Sequence, residues 1–141
     1  MIDINYVEEP ELNNINIFDY SLLKDKKSVS KQISQIIKEL FDTKTLLATP
    51  EFYNDVKYTD FFKIKQVKKL VSNSELINTV KCYFDNGLNT SIASMVAYMH
   101  RNTMIYRLQK IKNLIGLDIK IFNDAVIFNN MLYCYEIILC K

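Results

Sequence analysis

Asn102, Thr103, Tyr106 and Lys110, with Arg101 and Arg107 among them, place amide, hydroxyl and cationic groups along one short stretch of chain that holds no carboxylate. Such groups recognise nucleic acid. Asn or Gln pairs bidentately with adenine, Arg with guanine, and a Thr methyl packs against the thymine methyl. Asn102, Thr103 and Tyr106 are therefore the expected base-edge or adjacent contacts. Arg101, Arg107, Lys110 and His100 are expected mainly at phosphates, which position a protein without specifying sequence. Thr90 and Ser91, further upstream, are expected to add contacts to the duplex backbone.

Helical spacing sorts these residues from their apolar neighbours. With Met104 at zero on a wheel of about 100 degrees per residue, Leu108, Ile111 and Ile115 fall within about 40 degrees of it. Asn102, Tyr106, Lys110 and Asn113 lie opposite, flanked by Thr103, Arg107 and Gln109. One face is made to pack, the other to meet a polar surface, and the free N–H groups at the start of such a helix favour phosphate.

Other chemistry has little support. His100 is the only histidine and has no Cys, Asp or Glu within four residues, so neither a metal site nor a catalytic triad has a local constellation. No phosphate-cradling glycine loop or nucleophile–base pair stands out. Cys82, Cys134 and Cys140 lack C-x-x-C spacing, and an odd number suits reduced, buried thiols better than a disulfide framework. No catalytic residue, metal or cofactor is expected, and the chain does not read as an enzyme.

The elements that must position the polar face can be traced from their signals. Ser72 followed by Glu75 has the spacing of a capping box. It opens a helix with an apolar stripe of Leu76, Ile77, Val80, Tyr83 and Phe84, which Asn86 and Gly87 stop. Thr90 can cap a short helix over residues 91–97, and Tyr98 and Met99 make a turn. A third helix runs from His100 or Arg101 to Ile115 and closes at Gly116. Asn123 or Asp124 caps a last helix striped with Phe128, Met131, Leu132, Tyr135, Ile138 and Leu139. A short helix, a tight turn and a second helix with a polar face make a helix-turn-helix.

Upstream, Ile2, Ile4 and Tyr6 and then Ile15, Ile17 and Phe18 belong to alternating runs that suggest strands. Ile33, Ile36, Ile37, Leu40 and Phe41 recur at helical spacing within residues 30–47, with Ser28 or Ser30 as cap. Thr49 before Pro50 ends that helix. Residues 55–62 read as a short strand or an irregular lead into a helix at about 63–71. The fold class is thus mainly α: a C-terminal helix-turn-helix bundle over residues 70–141, preceded by a small mixed α/β segment over residues 1–69.

Composition agrees. A chain of 141 residues, 49% hydrophobic and with two Gly and two Pro, can bury a core and is not loop-rich. Its net charge of +2 is small, but the distribution is uneven. Residues 1–27 hold six acids against three lysines, whereas residues 88–117 hold no acid and carry Arg101, Arg107, Lys110 and Lys112. An acid-free stretch over the polar-faced helix is the electrostatic footprint expected of a nucleic-acid reader. No basic-then-apolar leader and no uncharged apolar run of about 18 residues occurs, so a cytoplasmic protein without a membrane span is expected.

The block His100, Arg101, Asn102, Thr103, then Tyr106, Arg107, Leu108, Lys110 and Ile111, followed by Gly116, Leu117 and Asp118, resembles the C-terminal helix-turn-helix of the PucR/CdaR-type regulators. These are bacterial regulators of purine catabolism and sugar-diacid use, with a DNA-binding unit related to that of Fis. The resemblance covers about residues 70–139. It departs from the family pattern at Ser94, where a small alanine is usual, at Ala97, where leucine is usual, and at Ile121 and Phe122, which replace an Asn-Pro pair. Residues 15–62 are more distantly similar to the tail of the GGDEF-like middle region of such regulators.

The resemblance implies a transcriptional regulator of the bacterial nucleoid that binds double-stranded DNA, with the helix at 101–115 in the major groove, and it implies no particular effector. One motif reads only a few base pairs, so a homodimer is expected. The last helix, apolar on a second side through Ile127, Tyr133, Cys134 and Ile137, could supply the interface or be covered by the N-terminal half. The competing reading is an interaction module that heterodimerises with a full-length regulator.

Overall fold

The structure, a computed structural model, describes residues 26–41 and 60–139. The alternating runs near the N-terminus, the Thr49–Pro50 stop and residues 55–59 lie outside the described residues. Within the described residues the secondary structure is helical, in the order α1 (Lys26–Leu40), α2 (Lys65–Val71), α3 (Ser74–Asp85), α4 (Thr90–Val96), α5 (Arg101–Ile115) and α6 (Phe122–Leu139). The mainly α expectation holds. Of the two readings of residues 55–62, a short strand or an irregular lead into a helix, the described end fits the lead: Asp60 and Phe61 are helical and Phe62 sits in a turn before α2.

α1 begins before the position expected, so Ser28 and Ser30 lie inside the helix and do not cap it. Its apolar stripe buries Val29, Ile33, Ile37 and Leu40, with Phe41 just beyond. Phe41, Phe61 and Phe62 form a cluster of tilted and edge-on rings that Tyr135 of α6 joins, an arrangement that adds to the area such rings bury. Met104, Leu108, Ile111 and Ile115 of α5 point into the same core and are fully or almost fully buried, as the wheel expects. α5 packs against α1, α2, α3 and α4, so it is the shared wall of the bundle.

Three helix starts differ from the expected caps by a residue or two. Asn73, not Ser72, caps α3: its Oδ1 accepts from the Leu76 amide at 3.1 Å. Ser72 instead donates to the Lys68 carbonyl at 2.6 Å and closes α2. Asn89, not Thr90, caps α4 by accepting from the Ile92 amide at 3.0 Å. In both cases the chain uses Asn, which caps at least as well as Ser or Thr. Asp124 lies inside the first turn of α6, where its carboxylate accepts from the Asp118 amide at 3.0 Å and pairs with Lys38 of α1 at 3.7 Å. That contact fixes the loop that ends at Ile121, before Phe122 opens α6.

Candidate nucleic-acid interface

Two tight turns set the three helices of the motif. After α3, Gly87 has φ 67° and Leu88 φ 59°, and the amides of Gly87 and Leu88 donate to the carbonyls of Phe84 and Tyr83. After α4, Tyr98 has φ 53°, and the amides of Tyr98 and Met99 donate to the carbonyls of Met95 and Ser94. Both are Schellman closures. The second places a tyrosine where glycine is usual, in a left-handed conformation that costs an ordinary residue about 1–2 kcal/mol. Tyr98 is 98% exposed, so packing does not hold it there. The sequence places a turn at Tyr98 and Met99, but its left-handed residue goes unmarked, because the Gly or Asn that usually carries that conformation is absent.

α4 then lies close against α5. Ala93 and Ser94 are its buried residues, and the Ser94 hydroxyl donates to the Ser91 carbonyl at 2.8 Å. Serine at this crossing therefore buries no unsatisfied hydroxyl, and the tight approach of the two helices survives the change from alanine.

α5 starts at Arg101, and His100 is its cap: Nδ1 accepts from the Asn102 amide at 3.1 Å. One of the ring's two nitrogens is thus used within the helix start. Gly116, with φ 76°, closes the other end. Between them the exposed face carries Arg101, Asn102, Ile105, Tyr106, Gln109, Lys112 and Asn113, while Thr103, Arg107 and Lys110 are half-buried along one flank. Gln109 donates to the Asn113 side chain at 3.1 Å. Thr90 is half-buried and Ser91 exposed at the start of α4.

Arg107 stands apart from the other cations. Its side chain is only 21% exposed. One guanidinium nitrogen donates to the Thr79 hydroxyl at 3.0 Å and another pairs with the Glu75 carboxylate. The hydroxyl of Thr79, itself buried, donates in turn to the Glu75 carbonyl at 2.8 Å. Arg107 therefore ties α5 to the first two turns of α3. Sequence reading missed Glu75 and Thr79 as its partners because they lie some thirty residues away, and only the packing of α3 on α5 brings them together.

The C-terminal end of α5 is held by α1. The Ser30 hydroxyl donates to the Asn113 carbonyl at 2.8 Å, one of the helix-end carbonyls without a partner in its own helix. A Cβ on Gly116 would stand 2.3 Å from the Ser30 carbonyl oxygen. Glycine is required there for both its conformation and its bareness. Of the residues on the second apolar side of α6, Cys134 is buried, Ile127 half-buried and Tyr133 57% exposed; the Ile137 side chain lies outside the described residues.

Among the described residues, no cluster of three His, Cys, Asp or Glu side chains could hold a metal ion, and no helix is long and apolar enough to cross a membrane.

Residues 76–132 match the family of the PucR C-terminal helix-turn-helix domain. The match to a PucR-type helix-turn-helix domain is confined to those residues. The chain is also similar over part of its length to two relatives. The uncharacterized protein YxkF of Bacillus subtilis (strain 168) is 34% identical over 56 residues, which is 40% of this chain and 19% of that protein. The carbohydrate diacid regulator of Escherichia coli (strain K12) is 31% identical over 64 residues, 45% of this chain and 17% of the regulator. The similarity thus spans less than a fifth of either relative. No solved structure matches the chain. The PucR-type domain takes in α4, the Tyr98 turn and α5, so the helix-turn-helix reading of the sequence holds.

Proposed function

We propose that this protein is a DNA-binding transcriptional regulator that inserts α5 into the major groove. The carrying observation is the division of α5: Met104, Leu108, Ile111 and Ile115 are buried, while Asn102, Tyr106 and Gln109 are exposed on the other side of a helix without acids. Asn102 and Gln109 have the amide geometry that reads adenine, and Thr103 and the 38% exposed Ile105 offer methyl groups to thymine. Tyr106 stands beside them. Arg101, His100 and Lys110, with Thr90 and Ser91 of α4, contact phosphates in this reading. Arg107 is given a different part from the one its charge suggests. Held by Glu75 and Thr79, it sets the roll of α5 and does not reach for phosphate. That one relative is named a regulator supports the same reading.

Two copies pairing on a two-fold operator would double the few base pairs one helix can read. Selection of binding sequences from a random duplex pool tests the whole reading, since a dimer enriches a palindrome and a monomer a single half-site. Gel-shift titration then tests the face. Asn102→Ala should relax specificity at one base position at a cost of about 1–3 kcal/mol. Arg101→Ala should weaken all duplexes alike and lower the salt slope by about one. An unenriched pool, or wild-type affinity in both variants, overturns the proposal.

A further inference from the structure

α2 carries a second basic surface that the helix-turn-helix does not use. Lys65, Lys68 and Lys69 are spaced i, i+3 and i+4, which puts them on one side of the helix. All three are exposed, and Val67, Leu70 and Val71 are buried on the other side. No acid occurs between Phe61 and Ser74. The two acids at the borders of this stretch are already engaged: Asp60 pairs with Lys63 at 3.3 Å, and Glu75 with Arg107. Among the described residues none of the three lysines has an acidic partner.

The position of α2 matters as much as its charge. It packs on α5 and α3. Only Ser72 and Asn73 separate its end from the start of α3, whose first turn holds Glu75 against Arg107. Arg107 lies on the flank of α5 that also carries Thr103 and Lys110, at i−4 and i+3. α2 therefore packs on the recognition helix itself and runs, through Ser72 and Asn73, directly into the turn of α3 that Arg107 holds.

We propose that Lys65, Lys68 and Lys69 contact the phosphate backbone of the same duplex, just outside the groove that α5 enters. This rests on the DNA-binding reading above. The lysines supply charge without sequence information, so they lengthen the footprint and steepen its salt dependence while leaving the base preference to α5.

The experiment uses the full chain and the duplex selected from the random pool. The variant Lys65→Gln/Lys68→Gln/Lys69→Gln keeps good helix formers at exposed sites, and its thermal melt should match the wild type. In a salt titration, the slope of log affinity against log salt should fall by roughly 2–3 for each bound copy, at about 0.9 per phosphate contact. The loss should be equal on unrelated duplexes, and hydroxyl-radical protection should shorten on one flank of each half-site. Trimming that flank from the DNA should weaken the wild type and leave the variant unchanged. A wild-type slope and footprint in the variant overturn the proposal while leaving α5 as the reader. Loss of binding to single-stranded RNA or anionic vesicles with duplex binding intact also overturns it and reassigns the strip. Absence of duplex binding by the wild type removes both readings at once.

Discussion

Arg107 shows how the surroundings of a charge bear on its part. By type and position it looks like a phosphate ligand; in the fold it is also tied to Glu75 and Thr79. Arg107→Ala removes two hydrogen bonds and the packing of a long stem, and should lower stability by about 1–2 kcal/mol in a denaturant titration. Glu75 is 66% exposed, so Glu75→Gln should cost well under about 1 kcal/mol. A larger loss for Glu75→Gln than for Arg107→Ala would contradict this assignment. Tyr98 makes the opposite case, an exposed side chain whose backbone alone is costly. Tyr98→Gly should raise stability by up to about 1 kcal/mol, since relief of the left-handed strain exceeds the extra entropy glycine gains on unfolding. A lowered melting temperature in that variant would sink the strain argument. Burial pushes the Cys134 thiol from its usual 9.0 up to about 12. A thiol held neutral in the fold but ionised in the unfolded chain stabilises fully below about pH 9, and that contribution is lost as pH rises towards about 12. Tyr83 shifts the same way, through burial and then the charge of Asp118. Stability should therefore fall above pH 9, with a shallower fall in Cys134→Ala. Native Cys134 should also resist alkylation until the protein unfolds.

At the scale of elements, periodicity was a sound guide and terminal signals were less so. The stripe Met104, Leu108, Ile111 and Ile115 could be read directly because 3.6-residue spacing leaves one way to bury it. Gly87 and Gly116 marked helix ends because a left-handed closure favours glycine. The caps at Asn73 and Asn89 were missed because each stands next to a Ser or Thr that could have done the same work. Tyr98 and Leu88 were invisible as left-handed residues because their types argue against it. The contact of α1 with the end of α5 had no local signal either, since Ser30 and Asn113 are 83 positions apart. Gly116→Ala tests that contact. A methyl there meets backbone, which cannot rotate away, and adds left-handed strain of about 1–2 kcal/mol. The expected loss exceeds about 2 kcal/mol in chemical denaturation. Ser30→Ala, which removes only the bond to the Asn113 carbonyl, should cost about 0.5–1.5 kcal/mol.

At the scale of the molecule, the polarity of charge complements the arrangement of helices. Along the sequence, six acids fall in residues 1–27, whereas residues 61–74 and 88–117 hold none. The ion pair of Lys81 with Glu136 lies at exposed positions and contributes little to stability. Apolar burial holds the bundle, and α1 supplies a large part of it. The docking of α1 also sets the smallest piece that can be cut out and studied. A fragment begun at Leu76, where the matched domain starts, would lose Val29, Ile33, Ile37, Leu40 and Phe41 from the wall they cover. Each such side chain is worth about 1.5–3 kcal/mol of burial, and their sum rivals the whole stability of an ordinary domain, about 5–15 kcal/mol. Dissection at the motif's own borders should therefore yield a molten or unfolded peptide, visible as weak, non-cooperative melting by circular dichroism. The unit that folds is longer than the unit that reads.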